Sequence, residues 1–142
     1  MGREEMLKNV PIFAELGRRD LERLSKLMVP RSARAGEIII KEGDQGQSFF
    51  FAAKGEVKIV RQNRLLNMVN AGEFFGEMAF IWGGELPRHA TADAMTDLLL
   101  CEFEPAAVAQ MSLAAQLQLV KALTRNVIDR LALANARLAN VR

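Results

Sequence analysis

The chain has 142 residues, half of them apolar and a quarter charged, a composition that fits one domain with a single hydrophobic core and excludes a disordered chain. The net charge is only +2 and is unevenly spread: residues 121–142 hold five basic residues against one acid, leaving 14 basic and 16 acidic in the rest. Apolar runs such as 49–53 and 98–101 are far below the length of a membrane span and no signal-peptide pattern opens the chain, so a soluble cytoplasmic chain is expected.

In chain order, Glu4–Val10 and Arg18–Met28 suit short helices. Leu21, Leu24, Leu27 and Met28 fall on one face, and Pro11, Gly17 and Pro30 act as breaks, so residues 1–34 read as an N-terminal helical cap. From residue 35 to 104 the pattern becomes short runs rich in Ile, Val, Phe and Leu: 37–41, 48–53, 57–61, 65–69, 90–94 and 98–103. Turn signals stand between them at Gly43-Asp44, Lys54-Gly55, Gln62-Asn63 and Thr96-Asp97. Many short strands at this spacing predict a mainly β fold, an antiparallel jelly-roll barrel with flanking helices, in a single domain over 1–142. The only cysteine, Cys101, sits in an apolar run and reads as a small buried hydrophobe. Pro105 opens a short helix to Met111, and Ser112 caps a second that runs to about Asn140 without Pro or Gly. Along it Leu117, Thr124, Leu131 and Leu138 recur every seven residues, with Val120, Val127, Ala134 and Val141 between them. Leu119, Leu123, Ile128 and Leu133 widen the apolar surface, so one helix is expected to face both the barrel and a partner. A solvated face explains its basic residues better than a nucleic-acid contact does.

The chemistry concentrates in residues 72–91. Two aromatics, Phe74 and Phe75, suit a buried strand end, and Gly76 and Glu77 then precede a short apolar run, Met78–Trp82, one or two helical turns long. The start of such a run offers free backbone N–H groups to an anion. After Gly83 and Gly84 the chain returns through Pro87 to Arg88, whose guanidinium can hold two phosphate oxygens in a fork. Cradle and arginine together fit one phosphate.

Phe-Gly-Glu-Met-Ala (75–79), a spacer and Pro-Arg-x-Ala-Thr (87–91) resemble the phosphate-binding cassette of the cyclic nucleotide-binding domain family, which includes kinase regulatory subunits, cyclic-nucleotide-gated channels and catabolite-activator-type regulators. Residues 35–44 and 50–57 resemble the first strands of the same domain, so the likeness covers about Val10 to Met111. The resemblance implies a double-stranded β-helix with a long C-terminal lid helix, a cyclic nucleotide as ligand, and no metal. It also implies a nucleotide-binding set of Gly76, Glu77, Met78, Ala79, Arg88, His89 and Ala90. Glu77 would accept from the ribose 2′-hydroxyl, Arg88 would pair with the cyclic phosphate, and the amides near Met78 and Ala79 would complete the cradle. His89 stands where relatives often carry Ala, Ser or Thr, and a small hydroxyl there tends to accompany guanine recognition. Base preference is thus open between cyclic AMP and cyclic GMP, with cyclic AMP favoured as the commoner bacterial ligand. His89 either donates to the phosphate or points to solvent.

Metal-dependent enzymes of the same barrel type need two or three histidines, and His89 is the only one; no Ser-His-Asp set or phosphate loop is present, so catalysis is not expected. A catabolite-activator-type transcription regulator would continue into a helix-turn-helix, which is not found before Arg142; the sensor half of such a regulator stays open as an alternative, and nucleic acid is not an expected partner without that added domain. The remaining expectations are a homodimer through helix 112–140, transmission of ligand binding through that helix as its apolar side closes over the base, or a degenerate interaction module with no nucleotide.

Overall fold

The computed structural model describes residues 2–8 and 10–140, so Val141 and Arg142, the ends of the expected heptad series and basic stretch, lie outside the described residues. Within the described residues the order is α1 (Arg3–Lys8), α2 (Pro11–Ala14), α3 (Arg18–Leu27), β1 (Val29–Ala33), β2 (Ile38–Ile40), β3 (Phe49–Lys54), β4 (Val57–Arg61) and β5 (Arg64–Val69). There follow β6 (Phe74–Phe75), α4 (Glu77–Trp82), β7 (Thr91–Ala94), β8 (Leu98–Phe103), α5 (Pro105–Ala109) and α6 (Leu113–Ala139). The strands form two four-stranded antiparallel sheets, β1-β8-β3-β6 and β2-β7-β4-β5, which with their flanking helices make the expected jelly-roll.

Two differences from expectation go beyond shifts of a residue or two at element ends. Pro11 opens α2 instead of merely ending α1, because proline loses nothing by lacking an N–H at a first helical position. Residues 29–33, assigned above to the helical cap, form β1, paired with β8 from Val29↔Glu102 to Ala33↔Leu98. A proline-containing Val-Pro-Arg-Ser-Ala run gives no strand signal, yet β1 is an edge strand, where a proline can face outward without costing a ladder hydrogen bond.

Strands β3 and β8 lie inside their sheet and are buried on both sides. Phe49, Phe51, Cys101 and Phe103 face the helices, where they meet Phe13, Leu24, Leu119 and Leu123, while Phe50, Ala52, Leu98 and Leu100 face Val57, Val69 and Ala92 of the second sheet. Double burial explains why 49–53 and 98–101 read as unbroken apolar runs instead of alternating ones. Each fully buried phenylalanine contributes roughly 1.5–3 kcal/mol, and Phe49 and Phe103 also stack at 5.0 Å between centroids. Burial pushes the Cys101 thiol up to about 12, so it packs as a hydrophobe and supplies no thiolate.

Helix α6 starts where the sequence places it. The Ser112 Oγ accepts from the Ala115 N–H at 3.1 Å, and Asp20 of α3 takes both the Ser112 N–H (2.9 Å) and its hydroxyl (2.7 Å). The cap thereby fastens α6 to the N-terminal helices. Ala115, Leu119 and Leu123 go into the core, whereas Leu117, Val120, Leu131 and Leu138 of the heptad seam are exposed.

Candidate functional site

The site begins with two paired strands. Phe74 and Phe75 lie opposite Phe51 and Phe50 of β3, and the rings of Phe75 and Phe50 stack at 5.0 Å, which fixes where β6 ends. Gly76 then turns the chain into α4 with φ +78, and a Cβ there would sit 2.9 Å from Ile40 Cδ1 and 3.4 Å from Arg88 Nη1. Only glycine allows both that dihedral and that approach. Gly83, at φ 76, closes α4 with its N–H on the Ala79 carbonyl at 3.2 Å. The return loop is zipped to residues 43–44: Arg88 N–H donates to Asp44 O (2.8 Å) and Gly43 N–H to Arg88 O (2.9 Å).

That zipper aims Arg88 inward. Its guanidinium, 8% exposed, donates through Nη1 to the Gly76 carbonyl (3.1 Å) and through Nη2 to the Ser48 carbonyl (2.9 Å) and hydroxyl (3.3 Å). Burial lowers the Arg88 pKa, and the charges of Glu102 and Glu104 oppose the shift; a guanidinium starts high enough to stay cationic at neutral pH. Gly46 backs the group so closely that a Cβ there would lie 3.1 Å from Nη2. The site therefore offers a fixed, buried positive charge bounded by backbone.

Glu77 opens α4 and is 1% exposed. Its Oε1 is 2.6 Å from Arg130 Nη1 on α6, 53 residues away in sequence, while its Oε2 is buried with no hydrogen-bond partner among the described residues. Burial pushes this carboxyl above its usual range, and Arg130 pulls it part of the way back. The Arg130 Nη2 also donates to the Phe74 carbonyl, joined there by Asn126 Nδ2 at 3.4 Å, and Arg137 Nη1 donates to the Leu66 carbonyl at 2.8 Å. α6 thus meets Phe74, Glu77 and Leu66 through polar and basic side chains. The apolar residues Ala115, Leu119 and Leu123 pack instead in the helical core.

Of the expected set, Gly76, Glu77, Ala79 and Arg88 are brought together and buried or at a cap. The Met78 side chain is exposed. Ala90 is half-buried just before β7. His89 is exposed, with Nδ1 3.2 Å from Arg61 Nη1, which also donates to the His89 carbonyl. Since a guanidinium only donates, that Nδ1 is the acceptor and Nε2 carries the proton. Partial desolvation by its neighbours and then Arg61 hold the His89 pKa below its usual value, against a weaker pull from Glu42. Val69 and Phe75 lie between the sheets, Phe74 points to the helices, and Trp82 is exposed at the cassette tip. Ser48, Arg61 and Arg130 have no sequence signal beyond a strand edge or a basic helix face. An open groove of about 490 Å³ lined by Glu42, Lys58, Val60, Thr91 and Asp93 lies on the other face of β4 and β7, since Val57, Ile59, Ala92 and Ala94 point between the sheets. Among the described residues no three His, Cys, Asp or Glu gather as metal ligands, and no helix is long and apolar enough to cross a membrane.

Comparison with known proteins gives the family and the fold. The cyclic nucleotide-binding domain family model covers residues 30–114, and the chain belongs to that family. A cyclic nucleotide-gated potassium channel of Rhizobium etli is 35% identical over 96 residues, covering 68% of this chain and 26% of the channel. A cAMP-dependent protein kinase regulatory subunit of Schizosaccharomyces pombe is 31% identical over 102 residues, 71% of this chain and 24% of that protein. Among solved structures, a PKAR CBD2 domain bound to Sp-2Cl-cAMPS is 25% identical, with a TM-score of 0.77 over 94% of this chain and 87% of that one. The chain spans about a quarter of the length of the curated relatives it matches. It is a domain of the cyclic nucleotide-binding family, similar to parts of kinase regulatory subunits and of a cyclic nucleotide-gated channel.

Proposed function

We propose that the domain senses a 3′,5′-cyclic nucleotide, with cyclic AMP favoured over cyclic GMP, and passes binding on to a partner or output domain through α6. The observation that carries the reading is Glu77 Oε2, a buried carboxylate oxygen left without a donor next to the Gly76 turn that Arg88 touches. An unsatisfied buried acceptor costs about 1–3 kcal/mol, and a ribose 2′-hydroxyl is a donor of the right kind to relieve it. Arg88 and the first amides of α4 would take the cyclic phosphate, with Met78 and Ala79 contributing backbone only. His89 offers no hydroxyl for a guanine edge, and the kinase relatives are named as cAMP-dependent, which favours adenine. Arg130 links the two halves of the proposal, because the group expected to hold ribose is the group that holds α6.

Calorimetry with cyclic AMP and cyclic GMP on the wild type, Glu77→Gln and Arg88→Ala tests the reading. Arg88→Ala removes two charge-assisted hydrogen bonds, about 3 kcal/mol together, and should weaken binding about a hundredfold. No heat with either nucleotide at millimolar concentration overturns it. Hydrogen exchange in residues 112–140 tests transmission: protection there must change when nucleotide binds.

A second reading is an interaction module that works without nucleotide, favoured by one observation: the seam Leu117, Leu131 and Leu138 is exposed along α6. It requires a homodimer by light scattering together with an absence of nucleotide binding.

A further inference from the structure

We propose that Glu102 is a positioning residue for Arg88, acting through the hydroxyl of Ser48; the inference deepens the nucleotide-binding reading and rests on it for its function. Arg88 is a buried cation whose hydrogen-bond partners, the Gly76 carbonyl and the Ser48 carbonyl and hydroxyl, are all neutral. No carboxylate lies within salt-bridge distance of it among the described residues. The nearest route to a negative charge runs through Ser48, whose hydroxyl donates to Glu102 Oε2 at 2.9 Å. A serine hydroxyl has one proton. Once Glu102 takes it, the oxygen lone pairs are turned toward Arg88 Nη2, which approaches the same atom at 3.3 Å.

The strand register builds this relay. Phe50 of β3 pairs with Glu102 of β8, which brings the carboxylate beside Ser48 just ahead of β3. Glu102 divides its oxygens: Oε2 serves Ser48, and Oε1 meets Arg31 of β1 at 3.2 Å. Keeping the anion one hydrogen bond away has a chemical consequence. A direct carboxylate would occupy the guanidinium fork and compete with phosphate, whereas a relayed one orients the fork and leaves its charge available.

Two measurements on the intact chain test the proposal, and the first needs no ligand. Nitrogen-15 NMR of the Arg88 guanidinium reads rotation about its Cζ–Nε bond, which should be hindered in the wild type and in Arg31→Ala, and faster in Ser48→Ala and Glu102→Ala. Calorimetry with cyclic AMP should then show binding about tenfold weaker in Ser48→Ala and Glu102→Ala, a smaller loss in Glu102→Gln, which keeps an acceptor, and under twofold change in Arg31→Ala. In an Arg88→Lys background the Glu102→Ala loss should largely vanish, since the residue it positions is gone. Equal guanidinium rotation in all four proteins overturns the proposal, as does a Glu102→Ala loss that persists undiminished with Arg88→Lys. Hindered rotation released by Ser48→Ala and Glu102→Ala, in a protein that binds no nucleotide, supports the positioning role and overturns the sensor reading instead.

Discussion

Replacing Arg130 by methionine isolates the contact on which the cassette and α6 agree. Methionine keeps the aliphatic stem, so the loss is that of the charge and its hydrogen bonds rather than of packing. Glu77 is 1% exposed and the Arg130 side chain 29%, so the pair lies between a fully buried one, whose breakage costs about 3–5 kcal/mol, and an exposed one worth about 1 kcal/mol or less. The variant also frees the Phe74 carbonyl from its charged donor, although Asn126 still reaches it. Protonation of Glu77 caps the penalty, since neutralising it costs about 1.4 kcal/mol for each pH unit above its pKa. The expected loss is about 2–3 kcal/mol at pH 7.5.

The pH dependence follows from the direction of the Glu77 shift. A carboxyl whose folded pKa is raised contributes stability below its unfolded pKa and loses it as pH rises through the folded value. Without Arg130, which lowers the folded value, that window extends upward, so the gap between variant and wild type should widen from pH 5 to pH 7.5. Urea unfolding followed by far-ultraviolet circular dichroism at both pH values measures it. Adding Glu77→Gln to Arg130→Met should recover more than half of the loss at pH 7.5. A loss below about 0.5 kcal/mol, or one equal at the two pH values, refutes the buried-charge argument.

Three other outcomes are expected. Gly76→Ala should lower stability by about 1–3 kcal/mol in thermal unfolding, because φ +78 is strained for any Cβ and that Cβ would press on Ile40; an unchanged melting temperature contradicts this. Asp20→Asn should remove an acid-sensitive contribution: the backbone and side-chain bonds from Ser112 hold the Asp20 carboxyl below its usual range. The stability it adds is present above its unfolded pKa and lost as pH falls through the folded one, so wild type and variant should converge in acid and separate toward pH 6. Leu119→Ala, at a fully buried position, should cost about 2.7–5 kcal/mol in urea, and a cost under 1 kcal/mol would mean that α6 is not part of the cooperative core.

The barrel was legible because its signals are local. Runs 57–61 and 98–103 match β4 and β8 to the residue, since each is bounded by turn residues and carries the side chains that a pleated, buried surface needs. Gln62 and Asn63 both adopt positive φ, the tight hairpin geometry their residue types favour, so the connection from β4 to β5 was also written locally. β1 was hidden because an edge strand needs a partner more than a propensity. The cassette was legible as a motif: Gly76, Glu77 and Arg88 lie within thirteen residues, in the order and setting that resemble the family's cassette.

What the cassette does with those residues was not legible, for a physical reason. Arg130 and Arg137 look like members of a solvated basic face because a helix declares its hydrophobic side by periodicity, whereas a cation gives no sign of whether its partner is water or a carboxylate 53 residues upstream. Pairing needs the tertiary fold. The consequence reaches function: α6 spans the core with Ala115, Leu119 and Leu123, the cassette and strand edges with Asn126, Arg130 and Arg137, and open solvent with Leu117, Leu131 and Leu138. The first contact is apolar and indifferent to a phosphate, and the third is largely open to solvent. Only the second places charges beside the proposed ligand site, so on the proposed reading Arg130 and Glu77 are where an anionic ligand would act on α6.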